Sequence, residues 1–284
     1  MQGTRFRSVL RESLGNIWRE CKIAITPVPR PDKWVFIVGC YNSGTTLLSE
    51  LMSRHPDISG IPTEGHFITD QFVKDFDIGL PRMWVDREDL FRLTENDAGP
   101  DVIRLKKEWG MRLNLSKKVL LEKSPPNAAR TRWFQKHFEN AYFIGLVRNG
   151  YAVSEGISRK GDPKHIKEGW PIERSAHQWA RSNEILQQDA AHLKRFTWVK
   201  YEDLAADPRT TLNQLAAFLD LPPFPESAYS DSFKIHERHD SVRDLNQVSI
   251  ERLSPEQIRT VTQIAGACLQ YHGYDLMRPD NPTV

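Results

Sequence analysis

Cysteine is scarce in this chain. Cys21, Cys40 and Cys268 are the only three in 284 residues. Their odd number and wide spacing exclude a disulfide framework and zinc-ligand spacing, so a reducing, cytoplasmic setting is expected. Long hydrophobic runs are missing too. No stretch reaches the roughly 18 apolar residues of a membrane span. Charges interrupt every apolar segment near the N-terminus, which excludes the pattern of a signal peptide. Excess charge is also absent: 39 Lys+Arg stand against 37 Asp+Glu, a formal +2. That leaves out the basic face of a duplex nucleic-acid binder, whereas a small anionic ligand needs only a local cluster. A chain of this length buries enough surface to need no metal or disulfide staple.

The most telling absence is a single lysine. The run Val35-Phe36-Ile37-Val38-Gly39-Cys40-Tyr41-Asn42-Ser43-Gly44-Thr45-Thr46-Leu47-Leu48 reads as a buried strand, a loop and the start of an apolar-periodic helix. It fits the phosphate-binding spacing G-x-x-x-x-G-[K]-[ST], except that Thr45 replaces the Lys. Backbone amides at such a helix start cradle a phosphate, and the Ser43 and Thr46 hydroxyls add donors. Without the ammonium, the loop suits a ligand with one phosphate there rather than a triphosphate with magnesium.

Short apolar runs alternate with helical patterns along the rest of the chain. Strands are predicted at Val35–Gly39, Ile58–Ile61, Val119–Leu121, Tyr142–Val147 and Thr197–Val199. Helices are predicted at Thr46–His55, Ala129–His137, Tyr151–Lys160, Ile172–Leu193, Arg209–Leu219 and Pro255–Gln270. This alternation predicts an α/β fold of three layers around a central parallel sheet, as one domain over 1–284. Residues 68–117 and 224–253 have weak periodicity and read as insertions or lids. Phe67, just before the first of these, and Phe72, Phe76 and Trp84 within it read either as pocket lining or as core under a lid. Residues 1–32 read as an amphipathic helix over 4–25 and a proline-rich lead-in. Two readings of that helix stand: it packs on its own domain, or it lies on an anionic membrane surface as a peripheral contact.

Parallel sheets bind ligands at the carboxyl ends of their strands, so polar residues there carry information. Glu64 and His66 follow the second strand. Either can take a proton from a hydroxyl, and Glu64 can equally sit at a helix N-terminus. Lys123 ends the third strand, where it either stabilises developing charge or lies along the surface with its tip in water. Arg148 ends the fourth, offering a planar fork to a phosphate or pairing with a nearby acid. Tyr201 ends the fifth, as a stacking platform or as core.

Together these elements resemble the sulfotransferase family that uses 3′-phosphoadenosine 5′-phosphosulfate (PAPS), over roughly residues 34–222. The resemblance implies a P-loop nucleotide-hydrolase-like fold. It implies that Asn42, Ser43, Gly44, Thr45, Thr46 and Leu47 bind the 5′-phosphosulfate, that Arg148 and a Ser on the following helix bind the 3′-phosphate, and that Tyr201 of Tyr201-Glu202-Asp203-Leu204 lies by the adenine. Glu64-Gly65-His66-Phe67 and Glu122-Lys123-Ser124-Pro125 are similar to the E-x-H-F and E-K-[ST]-P elements of heparan-type members. That similarity implies Glu64 as the base, His66 as its orienter or alternative, and Lys123 near the transferred group. The acceptor implied is a hydroxyl of a glycan or glycolipid, with a tyrosyl or small-molecule alcohol as the other options, and no metal. The chain departs from the family twice. Asn42 stands where Lys or Arg is common, so Lys123 or a cation from 234–252 is expected to compensate. Gly156 stands where the phosphate-binding Ser often lies, so Ser154 or Ser158 is expected to replace it. The competing readings are a nucleotide-type P-loop kinase and a non-catalytic nucleotide-binding protein.

Overall fold

Five parallel strands form the sheet in this computed structural model, which describes residues 15–161, 169–229 and 243–278, and 233–235 and 238–240 as backbone alone. They are β1 (Lys33–Gly39), β2 (Ile58–Gly60), β3 (Val119–Lys123), β4 (Ala141–Val147) and β5 (Phe196–Lys200), in the order β2-β3-β1-β4-β5. Each stands where an apolar run predicts it. The central strand β1 is buried almost throughout because helices cover both faces, so its sequence is continuously apolar rather than alternating.

Side-chain alternation along β1 divides the core in two. Trp34, Phe36 and Val38 face one layer and Val35 and Ile37 the other. The first layer holds α5 (Thr131–His137), α6 (Gly150–Arg159), α7 (Ile172–Ala190) and α11 (Pro255–Tyr271). The second holds α2 (Thr45–Met52), α8 (Tyr201–Ala206) and α9 (Pro208–Phe218). Phe36 stacks between Phe134 at 4.5 Å and Phe143 at 5.3 Å. Truncating a ring so enclosed costs about 3–5 kcal/mol.

Residues 68–117 prove partly regular. They contain α3 (Glu88–Phe91) and α4 (Val102–Gly110), the latter capped by Asp101 through the Ile103 and Arg104 amides. The four aromatic residues singled out here divide between the two readings: Phe72 and Trp84 are core, whereas Phe67 and Phe76 line a cavity. Late in the chain, β6 (Phe233–Ile235) and β7 (Arg238–Asp240) form an antiparallel hairpin before α10 (Asn246–Ile250). At the other end, α1 covers residues 15–25. Sheet register then gathers the carboxyl ends. Ile37 pairs with Lys123 on one side of β1, and Gly39 pairs with Leu146 on the other. The order of strands reverses around β1, which is where a parallel sheet opens a crevice.

Candidate active site

The loop after β1 is shaped by close approach. A Cβ on Gly39 would lie 2.4 Å from the Leu146 carbonyl oxygen. Gly44 has a φ of 94°, and a Cβ there would meet the Tyr201 ring at 2.7 Å. Gly44 caps α2, so the amides of its first turn have no acceptor within the helix and point into the crevice. Beside them, Asn42 Nδ2 and Ser43 Oγ are buried without a partner in the protein. Buried donors are almost always satisfied, so these fit the oxygens of an anion.

Arg148 leaves the end of β4 toward this loop. Its guanidinium donates to the Asn42 carbonyl at 3.1 Å and to Asn246 Oδ1 at 2.7 Å, and it lies 4.1 Å over the Tyr201 ring. Among the described residues no acid pairs with it. Glu202 stands behind this arrangement. Its carboxylate accepts from Asn246 Nδ2, the Asn149 amide and the Tyr274 hydroxyl. The acid beside Tyr201 thus positions Asn246, which in turn positions Arg148.

At the β2–β3 end, Lys123 Nζ lies 3.0 Å from Glu64 Oε1 and 3.1 Å from Thr46 Oγ1. Lys123 is 5 % exposed, so it does not trail along the surface. Glu64 occupies the N-cap of a short 3₁₀ turn, Gly65–Phe67, yet its side chain makes no capping bond. A second carboxylate, Glu122, fixes that turn from below by accepting from the Gly65 amide, Ser124 Oγ and Asn127 Nδ2. A Cβ on Gly65 would lie 2.6 Å from Glu122 Oε1, which explains the glycine. Burial pushes the Glu122 carboxyl up to about 7, against the pull of Ser124 and Asn127. His66 is wholly buried, its Nδ1 3.5 Å from Glu64 Oε2, and lines no cavity. Burial, then the Arg130 and Lys123 charges, lowers its pKa to about 3. The ring is neutral and enclosed, and neither of its nitrogens has a hydrogen-bond partner in the protein.

Two cavities meet at this point. The larger, of 650 Å³, runs over the phosphate loop and Arg148 to Tyr201. Arg82, Arg159, Lys160 and Arg252 also line it. Burial, followed by repulsion from Arg82, Arg159 and Arg148, lowers the Lys160 pKa. Glu155 pairs with Arg159 and Arg252 behind the wall, and the five cations against that one acid leave it positive, which suits an anion. The smaller, of 310 Å³, carries Ser49, Glu50, Thr63 and Lys123 on its wall. Thr46, Glu64 and Phe67 belong to both.

The family model described as "Sulfotransferase family" matches residues 35–226, which include the phosphate loop, Glu64, Lys123, Arg148 and Tyr201. The chain belongs to the sulfotransferase family. Solved structures agree on the fold. The sulfotransferase domain of the Synechococcus PCC 7002 olefin synthase aligns with a TM-score of 0.59 at 22% identity, over 89% of this chain and 98% of that one. Sulfotransferase STF9 from Mycobacterium avium gives 0.59 at 14%, over 93% and 82%. The sulfotransferase domain from the curacin biosynthetic pathway gives 0.54 at 19%, over 88% and 100%. A comparison with curated proteins finds no match.

In this sulfotransferase the structure brings Asn42, Gly44, Thr45, Thr46, Leu47, Arg148 and Tyr201 to one cavity wall, and Glu64 with Lys123 to its junction with the other. It does not bring the two helix serines there. Ser154 and the loop's Ser43 are both fully buried, line neither cavity and leave their hydroxyls without a partner, and Ser158 donates to the Trp170 carbonyl. The wall of α6 is formed by Ala152, Gly156 and Arg159 instead. Gly156 faces Asn42, and a Cβ there would meet Nδ2 at an ordinary contact distance of 3.4 Å. Sequence reading missed Ser249 and Arg252, which reach the cavity from and just after α10. Arg252 falls in the stretch where a compensating cation was expected. Arg82 and Lys160 were missed as well, and no local pattern marked them.

Proposed function

We propose that this chain transfers the sulfuryl group of PAPS to an acceptor hydroxyl, with a carbohydrate or glycolipid favoured. The observation that carries the reading is Lys123 bridging Glu64 and Thr46 where the two cavities join. The orphaned donors of Asn42 and Ser43 and the cationic wall fit a nucleotide with phosphate at both ends. Arg148, steadied by Asn246, would hold the 3′-phosphate, and the first turn of α2 the 5′-phosphosulfate. Glu64 would accept the acceptor's hydroxyl proton. The hydroxyl oxygen would form its bond to sulfur as the bond between sulfur and the 5′-phosphate oxygen breaks. Lys123 and Thr46 would stabilise charge on the sulfuryl oxygens and on the departing 3′-phosphoadenosine 5′-phosphate. His66 would restrain the Glu64 carboxylate from behind.

The smaller cavity supports the choice of acceptor. Its hydroxyls and carboxylates suit a partner rich in hydroxyl groups, and half-exposed Phe67 offers a flat apolar face to a sugar ring. The three free cysteines, two of them buried, support a reducing, cytoplasmic setting. The test is thermal stabilisation by 3′-phosphoadenosine 5′-phosphate against ATP with magnesium, followed by transfer of labelled sulfuryl to a panel of glycans and glycolipids. Selective ligand binding raises the folding midpoint by mass action. A larger shift with ATP and magnesium would favour the kinase reading and remove this one.

A further inference from the structure

Helix α1 is attached to the domain by the side that ordinarily faces water. Arg19 donates to Asp70 and Glu108, Arg104 grips the Glu20 carboxylate, and Lys107 donates to the Ala24 carbonyl. Ile23 is its one buried apolar residue. The opposite side is apolar and open. Ile17, Trp18 and Ile25 are 60, 62 and 82% exposed, and Cys21 is exposed with them. Positions 17, 21 and 25 fall one turn apart, so they form a stripe, with Trp18 along its edge. Lys22 Nζ sits 3.6 Å over the Trp18 ring. The preceding sequence adds Arg5, Arg7 and Arg11 against Glu12 alone among the acids.

We propose that α1 docks on the headgroup region of an anionic bilayer, with Ile17, Trp18 and Ile25 entering the acyl boundary. An exposed apolar stripe with an interfacial tryptophan and flanking cations is the pattern of an element that lies in a membrane surface. Charge decides against a second copy of the chain. A two-fold contact through this stripe would bring Lys22 and its equivalent together, whereas anionic lipid complements both. A chain of contacts runs from the helix to the active-site turn. Glu108, which receives Arg19, also accepts from Thr69, and its neighbour Trp109 donates to the Gly65 carbonyl beside Glu64.

The experiment is co-sedimentation of the full chain with phosphatidylcholine vesicles, with and without phosphatidylglycerol, at low and high salt. The wild type should partition onto the anionic vesicles, less so in salt. The variant I17S/W18S/I25S should lose at least about tenfold in partitioning. Its calorimetric affinity for 3′-phosphoadenosine 5′-phosphate should match wild type, which shows that the fold survives. Three results would overturn the proposal: no sedimentation of the wild type, equal sedimentation of the variant, or a wild-type dimer that the substitutions dissolve while vesicle binding stays unchanged. Failure of the wild type to bind the bisphosphate would sink the transfer reading instead, and leave the vesicle result standing.

Discussion

The two cavities differ in how they select. The larger is walled by Arg82, Arg148, Arg159, Lys160 and Arg252, and its one carboxylate stands at the junction. The smaller carries Glu50 and Glu64 among hydroxyls, with Lys123 its one cation. Charge gives affinity for an anionic donor, whereas hydroxyl and carboxylate partners select by geometry. Yet the two are supported alike. Each working group rests on a carboxylate behind it, Glu202 behind Asn246 and Arg148, Glu122 behind the Gly65 turn and Glu64. Breaking one side should leave the other intact.

Glu64→Gln makes the largest break. Removing a positioned base costs about 10²–10⁴ in turnover. We expect that loss in kcat, with calorimetric affinity for 3′-phosphoadenosine 5′-phosphate within about twofold of wild type, since Arg148 and the loop are untouched. Turnover within a few-fold of wild type would take Glu64 out of the role.

The support beneath that base is next in size. Glu122 has its carboxyl raised by burial to about 7, above the ordinary value of 4.5. The folded state therefore binds a proton more tightly than the unfolded one. Its contribution is fully present below the unfolded value and is lost as pH rises through about 7. Each pKa unit corresponds to about 1.4 kcal/mol, so wild type should lose up to about 3 kcal/mol between pH 4 and pH 8 from this group. His66 gives the opposite slope. Held near 3 by burial, it contributes stability above the unfolded value of 6.5 that is lost as pH falls toward 3. Denaturant unfolding of wild type and Glu122→Gln across this range separates the two. The variant should keep the acid-side loss and lack the alkaline-side one, and parallel curves would show that Glu122 is not the titrating group.

The asymmetry between the cavities also explains what could be read without coordinates. The donor side is carried by contiguous segments at strand ends, so Gly44 and Arg148 stood out by position, while Tyr201 read equally as platform or core until the family resemblance placed it. All five strands and the helices of both layers except α8 were legible for a related reason. Burial on both sheet faces forces continuous apolar runs, and the helices between them keep their period. The remaining wall residues come from loops and short helices without a periodic signal. Arg82 reaches the cavity because the Asp75 carboxylate holds the Arg82 amide and the Tyr41 hydroxyl together. Arg252 and Ser249 reach it through α10, a single short turn. Ser154 misled because a position one helical face away from the wall differs from a lining one by only two residues.

Arg148→Ala tests the donor side. Hydrogen bonds to charged groups contribute about 1.5–3 kcal/mol, so the bisphosphate should bind about 10- to 100-fold more weakly. Adenosine 5′-phosphate, which lacks the 3′-phosphate, should lose far less. An equal loss for both ligands would mean that Arg148 supports the cavity through Tyr201 and Asn42 rather than gripping the 3′-phosphate.

The smallest expected effect is the sharpest test of the contrast. Glu50 is exposed and lies on the wall of the smaller cavity alone. If that cavity admits the acceptor, the Glu50 carboxylate meets the acceptor and never the donor. Glu50→Gln keeps its shape and hydrogen-bonding reach and removes one negative charge. An exposed charge acts weakly through water, on the order of 1 kcal/mol or less. The expected change is thus a few-fold in acceptor KM, with kcat and bisphosphate affinity unchanged. Its sign depends on the acceptor: an anionic glycan should bind better to the variant and an amine-bearing one worse, whereas a neutral sugar should hardly respond. A change in nucleotide affinity instead would mean that the donor extends into the smaller cavity, and the division of labour between the two would fail.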